Sequence, residues 1–159
     1  MKHVLKAEAK TTSTNLLIEF NGEKLTAKPE GWDKTGVEGA VKRYSTTKYE
    51  LFDTSGIHQS FVEYNGVKDS IIFEKGATTL ATTTSWFSPH VFTYNKQEYH
   101  IHEKVTGVIM ITRGDEIVAK GKCTFRSVIF QDYPKELEPI LPELATGFLI
   151  KMVLWSMFL

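Results

Sequence analysis

Two groups of side chains in this sequence have the chemistry to bind a ligand, and the first is a set of basic residues. Lys120, Lys122 and Arg126 share one face if residues 119–127 form a regular strand, because side chains alternate along a strand. Such a ladder can hold phosphate oxygens, and arginine adds a bidentate grip. The alternative is an ordinary charged outer face, which solvated strands also carry. If a lipid headgroup binds to this chain, we expect these three residues to hold its phosphate.

The second group is a pair of histidines. His100 and His102 are two residues apart and project from one face of a strand, with Glu98 beside them. Two imidazoles and a carboxylate can bind zinc or another divalent ion. The opposing interpretation is a polar, solvent-facing edge, with Tyr99 and Ile101 buried on the other face. Because His-x-His alone is a weak signal, we predict no metal and no cofactor, and keep the two histidines only as weak candidates.

No catalytic arrangement is evident. Ser85 and Ser88 lack the glycines of a nucleophile elbow, and the 11 glycines are dispersed, without a phosphate-cradling loop. Cys123 is the only cysteine. With nothing cationic predictably beside it, we expect a buried, inert thiol. The sequence therefore favours a non-enzymatic protein.

Length and charge set the broad class. The 159 residues are enough for one domain, which we assign to residues 1–159. Lys+Arg and Asp+Glu number 19 each, so the formal net charge is zero, which argues against a nucleic-acid partner. The same balance permits self-association and leaves the oligomeric state open. A single cysteine and the absence of a signal-peptide pattern predict a cytoplasmic location, with peripheral membrane attachment left open.

From residue 2 to residue 131 the dominant period is two, which predicts strands. Hairpin turns are expected at Asn21-Gly22, Asn65-Gly66 and Asn95-Lys96. The threonine-rich stretch 78–87 suits a pleated surface, and Lys122 to Gln131 reads as one long strand. We predict a loop over residues 29–46, which can include a short helical turn. We predict an antiparallel meander of about 10–12 strands that closes into a barrel and so removes its edges.

The chain then changes to a helical period. We predict a regular helix over about residues 139–159, and Asp132 is an N-cap candidate if the helix starts before the prolines instead. Its apolar run, 145–159, is about 22 Å long and has fewer than the roughly 20 residues that a membrane span needs. Lys151 lies near the middle of this run. The length favours a helix buried in protein, with a tail anchor in the bilayer as the alternative. A barrel of this size is too wide for its own side chains to fill, so the helix would plug it.

This combination resembles the tubby C-terminal-like superfamily, which includes tubby-like proteins, phospholipid scramblases, plant LURP-one-related proteins and short bacterial members. The most family-like segments are Phe92 to His102 and Leu137 to Leu159. The resemblance implies a β-barrel around a central C-terminal helix, and a non-enzymatic role at phospholipid or membrane surfaces. The basic motif by which tubby proteins bind phosphoinositides has no counterpart here, so no site residue is carried over.

Three hypotheses follow. The first, which we favour, is a binding module that associates with anionic phospholipid or with a partner at a membrane surface. The second is a small-molecule-binding barrel or enzyme of the lipocalin-like type, which requires a free lumen and is opposed by a lumen filled with Phe148, Met152 and Trp155. The third is a tail-anchored membrane protein with helix 145–159 in the bilayer.

Overall fold

In the described part of the chain, the fold is one antiparallel sheet of twelve strands with one C-terminal helix. The computed structural model describes residues 7–11, 16–20, 22–29, 47–66, 68–82, 89–104, 106–124 and 127–156. The strands are β1 (Ala7–Thr11), β2 (Leu16–Phe20), β3 (Glu23–Pro29), β4 (Thr47–Asp53), β5 (His58–Asn65), β6 (Ser70–Lys75), β7 (Thr78–Ala81), β8 (His90–Tyr94), β9 (Gln97–Glu103), β10 (Val108–Arg113), β11 (Glu116–Cys123) and β12 (Ser127–Gln131). The predicted mainly-β class with a C-terminal helix is confirmed.

Strand order follows the chain, with one long-range join. The order across the sheet is β7-β6-β5-β4-β3-β2-β1-β12-β11-β10-β9-β8, so β1 pairs with β12 and brings the two halves of the chain together. β7 and β8 are outermost in this order, and they contact each other. In the part of the chain that the structure describes, no hydrogen-bonded register links these two strands.

The predicted hairpins form where the turn residues can adopt positive φ. Phe20 pairs with Glu23 around a two-residue turn in which Gly22 has φ +81°. Tyr94 pairs with Gln97, and both intervening residues, Asn95 and Lys96, have positive φ, as a type I′ turn requires. The β5–β6 turn lies later than predicted, because Asn65 still pairs with Ser70 as the last residue of β5.

The expectation of one long strand from Lys122 to Gln131 is wrong. β11 ends at Cys123, the chain reverses, and Cys123 pairs with Val128 of β12. The Thr124 N–H donates to the Ser127 carbonyl at 2.8 Å, and the Ser127 N–H donates to Thr124 Oγ1 at 3.0 Å. These local bonds satisfy backbone groups that a continuous strand would have to pair elsewhere. The loop predicted over 29–46 begins later than expected, because Pro29 still belongs to β3. Residues 30–46 of that loop and residues 83–88 of the threonine-rich stretch lie outside the described part.

The helix α1 spans Leu141–Ser156 and follows a 3-10 turn at Lys135–Leu137. It begins inside the predicted range, with Pro142 in its first turn, where proline removes no intrahelical hydrogen bond. The expectation of Asp132 as N-cap is wrong, because its φ is +55° and the 3-10 turn separates it from the helix. Among the described residues, no helix has the length and apolarity needed to cross a membrane.

The core lies between the inner face of the sheet and α1. Helix residues from Leu141 to Lys151 are buried, and α1 packs against strands from both halves of the sheet, including β1, β2, β5, β6, β11 and β12. Inward side chains of the strands, such as Tyr64, Phe73 and Phe130, are at most 1% exposed. Each large apolar side chain buried in this way contributes roughly 1.5–3 kcal/mol. Met152 is partly buried, and the side chain of Trp155 lies outside the described part.

One stripe of α1 packs along β6. Glu143, Gly147 and Lys151 are spaced four residues apart, so they lie on one side of the helix. Glu143 meets Lys75 at the end of β6, while Lys151 meets Asp69 just before its start. Between them, a Cβ on Gly147 would lie 2.5 Å from Ile71 Cγ2, so glycine permits the close approach. β6 and α1 therefore run in opposite directions, with a charged pair at each end of the contact.

Candidate functional site

The predicted basic ladder is present only in part. Lys120 and Lys122 are both exposed and project from the outer face of β11, as predicted. Arg126 lies outside the described residues. The expectation that 119–127 form one regular strand is wrong, since β11 ends at Cys123 and a separate strand, β12, begins at Ser127. The structure therefore supports two members of the predicted site as neighbours on one strand.

The surroundings of these two lysines differ from those of other strand lysines. Lys122 lies opposite Val108 on β10 and Ile129 on β12, while Lys120 lies opposite Met110 and Gln131. Val108, Met110 and Ile129 are half-buried on the outer face.

By contrast, lysines on β3 and β4 are paired with acids. Lys24 lies opposite Glu19, Lys28 lies opposite Glu50, and Lys48 lies opposite Glu63. Opposite charges in such positions stabilise a sheet and neutralise its surface. The outer face of β10–β12 thus combines apolar side chains with two lysines that have no acidic residue opposite them on the neighbouring strands. We call Val108, Met110, Lys120, Lys122 and Ile129 the β11 patch.

The two candidate metal histidines lie on the outer face of β9, half-exposed. His100 Nε2 is 2.9 Å from Glu98 Oε1, and His102 Nε2 is 3.1 Å from Thr112 Oγ1. Their rings stack with centroids 6.4 Å apart. Within the described ranges, no group of three His, Cys, Asp or Glu side chains could hold a metal ion. On the opposite face, Tyr99 and Ile101 are buried, as the sequence predicted.

A polar cluster around the buried side chains of Lys151 and His90, at the C-terminal half of α1, is absent from the sequence-based candidates. Lys151 Nζ lies 2.8 Å from Asp69 Oδ1 and 3.1 Å from Glu103 Oε2, and the lysine side chain is 8% exposed. His90 Nε2 lies 2.7 Å from Glu103 Oε1, which can only accept, so the nitrogen donates. Together with His102, Pro89 and Ile101, these residues line a cavity of about 280 Å³.

In this cluster two carboxylates lie against one buried ammonium group. Burial alone would raise the pKa of Asp69 and Glu103, but the hydrogen bonds and charges of Lys151 and His90 outweigh it. For Asp69, the Tyr64 hydroxyl also donates, at 2.7 Å. Both carboxyl pKa values therefore lie below their ordinary range, and both groups are ionised at neutral pH. The arrangement neutralises the lysine within an otherwise apolar helix. The sequence signal was Lys151 itself, since a buried ammonium requires acidic partners.

A second buried charge lies near the N-terminal end of α1. Glu143 is fully buried, and its Oε1 lies 3.2 Å from Lys75 Nζ. That lysine donates its hydrogen bond to the Pro139 carbonyl, at 2.9 Å. Burial raises the pKa of Glu143, and the nearby Lys75 offsets part of the rise.

Cys123 is buried, as predicted, which raises the pKa of its thiol to about 12. A thiol with that pKa is protonated at neutral pH and is neither a nucleophile nor a metal ligand. The predicted inert role therefore has a physical basis in burial.

Comparison of this chain with protein-family models, with curated proteins and with solved structures finds no match. The resemblance to the tubby C-terminal-like superfamily stays a prediction from the sequence, because none of these comparisons identifies that superfamily.

Proposed function

We propose that this chain is a non-enzymatic binding module for anionic phospholipid surfaces, with the β11 patch as its contact face. In this proposal the sheet closes around α1 as a tubby-like barrel, and the chain acts in the cytoplasm as a peripheral membrane protein. The single observation that carries the proposal is the pair of exposed lysines, Lys120 and Lys122, set among apolar rather than acidic cross-strand neighbours.

An anionic membrane surface can bind both the lysines and the apolar side chains of the β11 patch. Each lysine near an anionic leaflet contributes about 1 kcal/mol, so two contribute about 2 kcal/mol, or roughly 30-fold in partitioning. Half-buried apolar side chains such as Met110 and Ile129 can enter the headgroup region beside the ammonium groups. Lysines that lie opposite glutamates, such as Lys24 and Lys28, would gain less because the nearby negative charge repels the anionic surface.

The lipocalin-like alternative has less support. Leu144 and Phe148 of α1 are at most 1% exposed and occupy the space that an internal ligand would need. The tail-anchor alternative would require α1 to leave Asp69 and Glu103, its two carboxylate partners.

Hydrogen exchange directly tests whether the sheet closes into a barrel. Amides at the β7 and β8 edges should exchange slowly if the barrel closes, and rapidly if it stays open.

The test of membrane binding is co-sedimentation with vesicles of phosphatidylcholine containing 30% phosphatidylserine, at 20 mM and 200 mM salt. Lys120→Gln with Lys122→Gln should lower the partition coefficient about 30-fold, and high salt should weaken the wild-type protein. The matched control is Lys24→Gln with Lys28→Gln, which removes the same charge from a paired face. Arg126→Gln, tested separately, reports on the third predicted residue. No binding to anionic vesicles at low salt, or equal loss in both double variants, would refute the proposal.

A further inference from the structure

The outer face of β3 to β6 carries a cluster of aromatic rings flanked by lysines. The ring centroid of His58 lies 4.3 Å from that of Phe61 and 5.5 Å from that of Phe52. Lys48 Nζ lies 4.3 Å from the ring centroid of Phe61. On the neighbouring ring, Lys28 Nζ lies 5.3 Å from the centroid of Phe52. Because each ammonium group is attracted to a ring face, both lysines are held against the sheet.

Eight outward side chains make up this surface, which we call the β4–β5 face. They are Lys28, Lys48, Glu50, Phe52, His58, Phe61, Glu63 and Glu74. Each is exposed or half-buried, while residues that alternate with them, such as Tyr49, Leu51 and Val62, are buried in the core. The face therefore has two lysines and three glutamates interleaved with aromatic rings. A partner whose surface carries only one sign of charge would meet like charges on it.

The strand register arranges these eight side chains in three rows across the sheet. In order along β4, the rows are Lys48 with Glu63; Lys28, Glu50, Phe61 and Glu74; and Phe52 with His58. A line parallel to the strands and midway between β4 and β5 divides each row. The two lysines lie on one side of this line, and two glutamates lie at matching positions on the other side. The charge pattern is therefore complementary to a copy of itself turned about that line.

We infer that the β4–β5 face is the interface of a homodimer, with a second copy of this chain as its occupant. A two-fold axis along the dividing line places β4 of one protomer over β5 of the other, and β3 over β6. Lys48 of each protomer then faces Glu63 of the partner subunit. In the next row, Lys28 faces Glu74 of the partner subunit. The ring of Phe52 faces the His58 ring of the partner subunit.

The size of the face indicates a weak dimer. Four strands about 4.8 Å apart and five residues about 3.3 Å apart along each strand cover roughly 20 Å by 20 Å, or about 400 Å² on each protomer. Stable complexes bury about 800 Å² on each partner, so we expect a dissociation constant of roughly 10 µM to 1 mM. The zero formal net charge leaves little overall repulsion between two copies. Because β3, β2, β1 and β12 lie between β4 and β11 in the sheet, the inference is independent of membrane binding by the β11 patch.

Sedimentation equilibrium of the full chain from 10 µM to 1 mM, at 20 mM and 500 mM salt, tests for the dimer. We expect a monomer–dimer equilibrium at low salt and a dissociation constant at least threefold higher at high salt, because the cross-subunit charge pairs are screened. A monomer at every concentration at low salt would overturn the inference.

Charge reversal tests whether this face forms the dimer. Lys48→Glu and Glu63→Lys each bring two like-charged pairs together across the axis, so each variant alone should dimerise at least tenfold more weakly than wild type. An equimolar mixture of the two variants should form a heterodimer, because opposite charges then face each other at both positions. If the mixture associates no better than each variant alone, the inference fails.

Two further variants separate dimerisation from folding and from net charge. Combining Lys48→Glu with Glu63→Lys in one chain keeps the cross-strand pair within the protomer and also the pair across the axis, so dimerisation should return to within about threefold of wild type. Lys96→Glu is the control for charge, because Lys96 is exposed in the β8–β9 turn, away from the β4–β5 face. A loss of dimerisation in Lys96→Glu as large as that in Lys48→Glu would refute the assignment of the interface.

Discussion

Replacing Lys151 with methionine is the most direct test of how α1 is held. The change keeps an unbranched side chain that is one atom shorter, and it leaves Asp69 and Glu103 without their ammonium partner. Removing one member of a buried ion pair costs roughly 3–5 kcal/mol. Because the Asp69 and Glu103 side chains are 27% and 31% exposed, water can partly replace the lysine. We therefore expect the free energy of unfolding to fall by about 3 kcal/mol, the lower end of that range.

The loss should depend on pH with a defined sign. The pKa values of Asp69 and Glu103 are lowered in the folded protein, so these groups stabilise it above their unfolded-state values of roughly 4. This stability disappears as the pH falls through the folded-state pKa values. Without Lys151, less positive charge opposes the effect of burial, which raises the pKa of both carboxyl groups. Protonation at low pH then removes their uncompensated negative charge from the variant. The difference between wild type and variant should therefore be largest near pH 7 and shrink towards pH 3.

Urea unfolding followed by circular dichroism at pH 7, 5 and 3.5 measures these differences. Adding Glu103→Gln to Lys151→Met should recover part of the loss, because one uncompensated carboxylate is removed. Lys120→Met is the control for lysine removal at an exposed site and should stay within about 0.5 kcal/mol of wild type. A loss below about 1 kcal/mol at pH 7, or one that is unchanged by pH, would refute the reasoning.

Two further predictions concern close packing and thiol reactivity. Gly147→Ala should destabilise the protein although alanine favours helix by about 1 kcal/mol, because its Cβ would lie 2.5 Å from Ile71 Cγ2 and overpacking costs roughly 1–3 kcal/mol. Thermal unfolding measures the loss, which should be less than additive with Ile71→Ala; a stabilised Gly147→Ala variant would contradict the packing. Cys123, whose thiol has its pKa raised to about 12, should react with a disulfide reagent at pH 8 far more slowly in the native protein than in urea. A native rate within tenfold of the unfolded rate would show that the thiol is accessible.

Strands were predictable from the sequence where burial alternates without interruption. In β5, Ser60, Val62 and Tyr64 are buried in alternation, and this period of two is the direct result of pleating. The error at 122–131 has an identifiable signal. Cys123 is buried at an odd position, whereas Val128 and Phe130 are buried at even positions, so the alternation changes phase between them. A change of phase in one apparent strand indicates a turn or a bulge.

The sequence indicates the chemistry of the polar clusters but not which residues form them. Lys151 in an apolar helix requires acidic partners, but Asp69 and Glu103 are 82 and 48 residues away in the chain. Their approach depends on how β6 and β9 are placed beside the helix, which no local pattern contains. The β11 patch was easier, because Lys120 and Lys122 lie on one strand. Its apolar neighbours depend on the register of β10 and β12 and became apparent only from the structure.

The stripe Glu143, Gly147 and Lys151 explains why a helix this apolar adopts one position. Hydrophobic burial is non-directional, so an apolar helix can slide or rotate with little change in buried area. A slip of one turn, about 5.4 Å, would move Glu143 from Lys75 and Lys151 from Asp69. It would also bring a larger side chain than Gly147 against Ile71. Each wrong position therefore leaves two buried charges uncompensated and creates a clash. The charges in α1 thus fix its register against β6, and Glu103 binds the same lysine from the other half of the sheet.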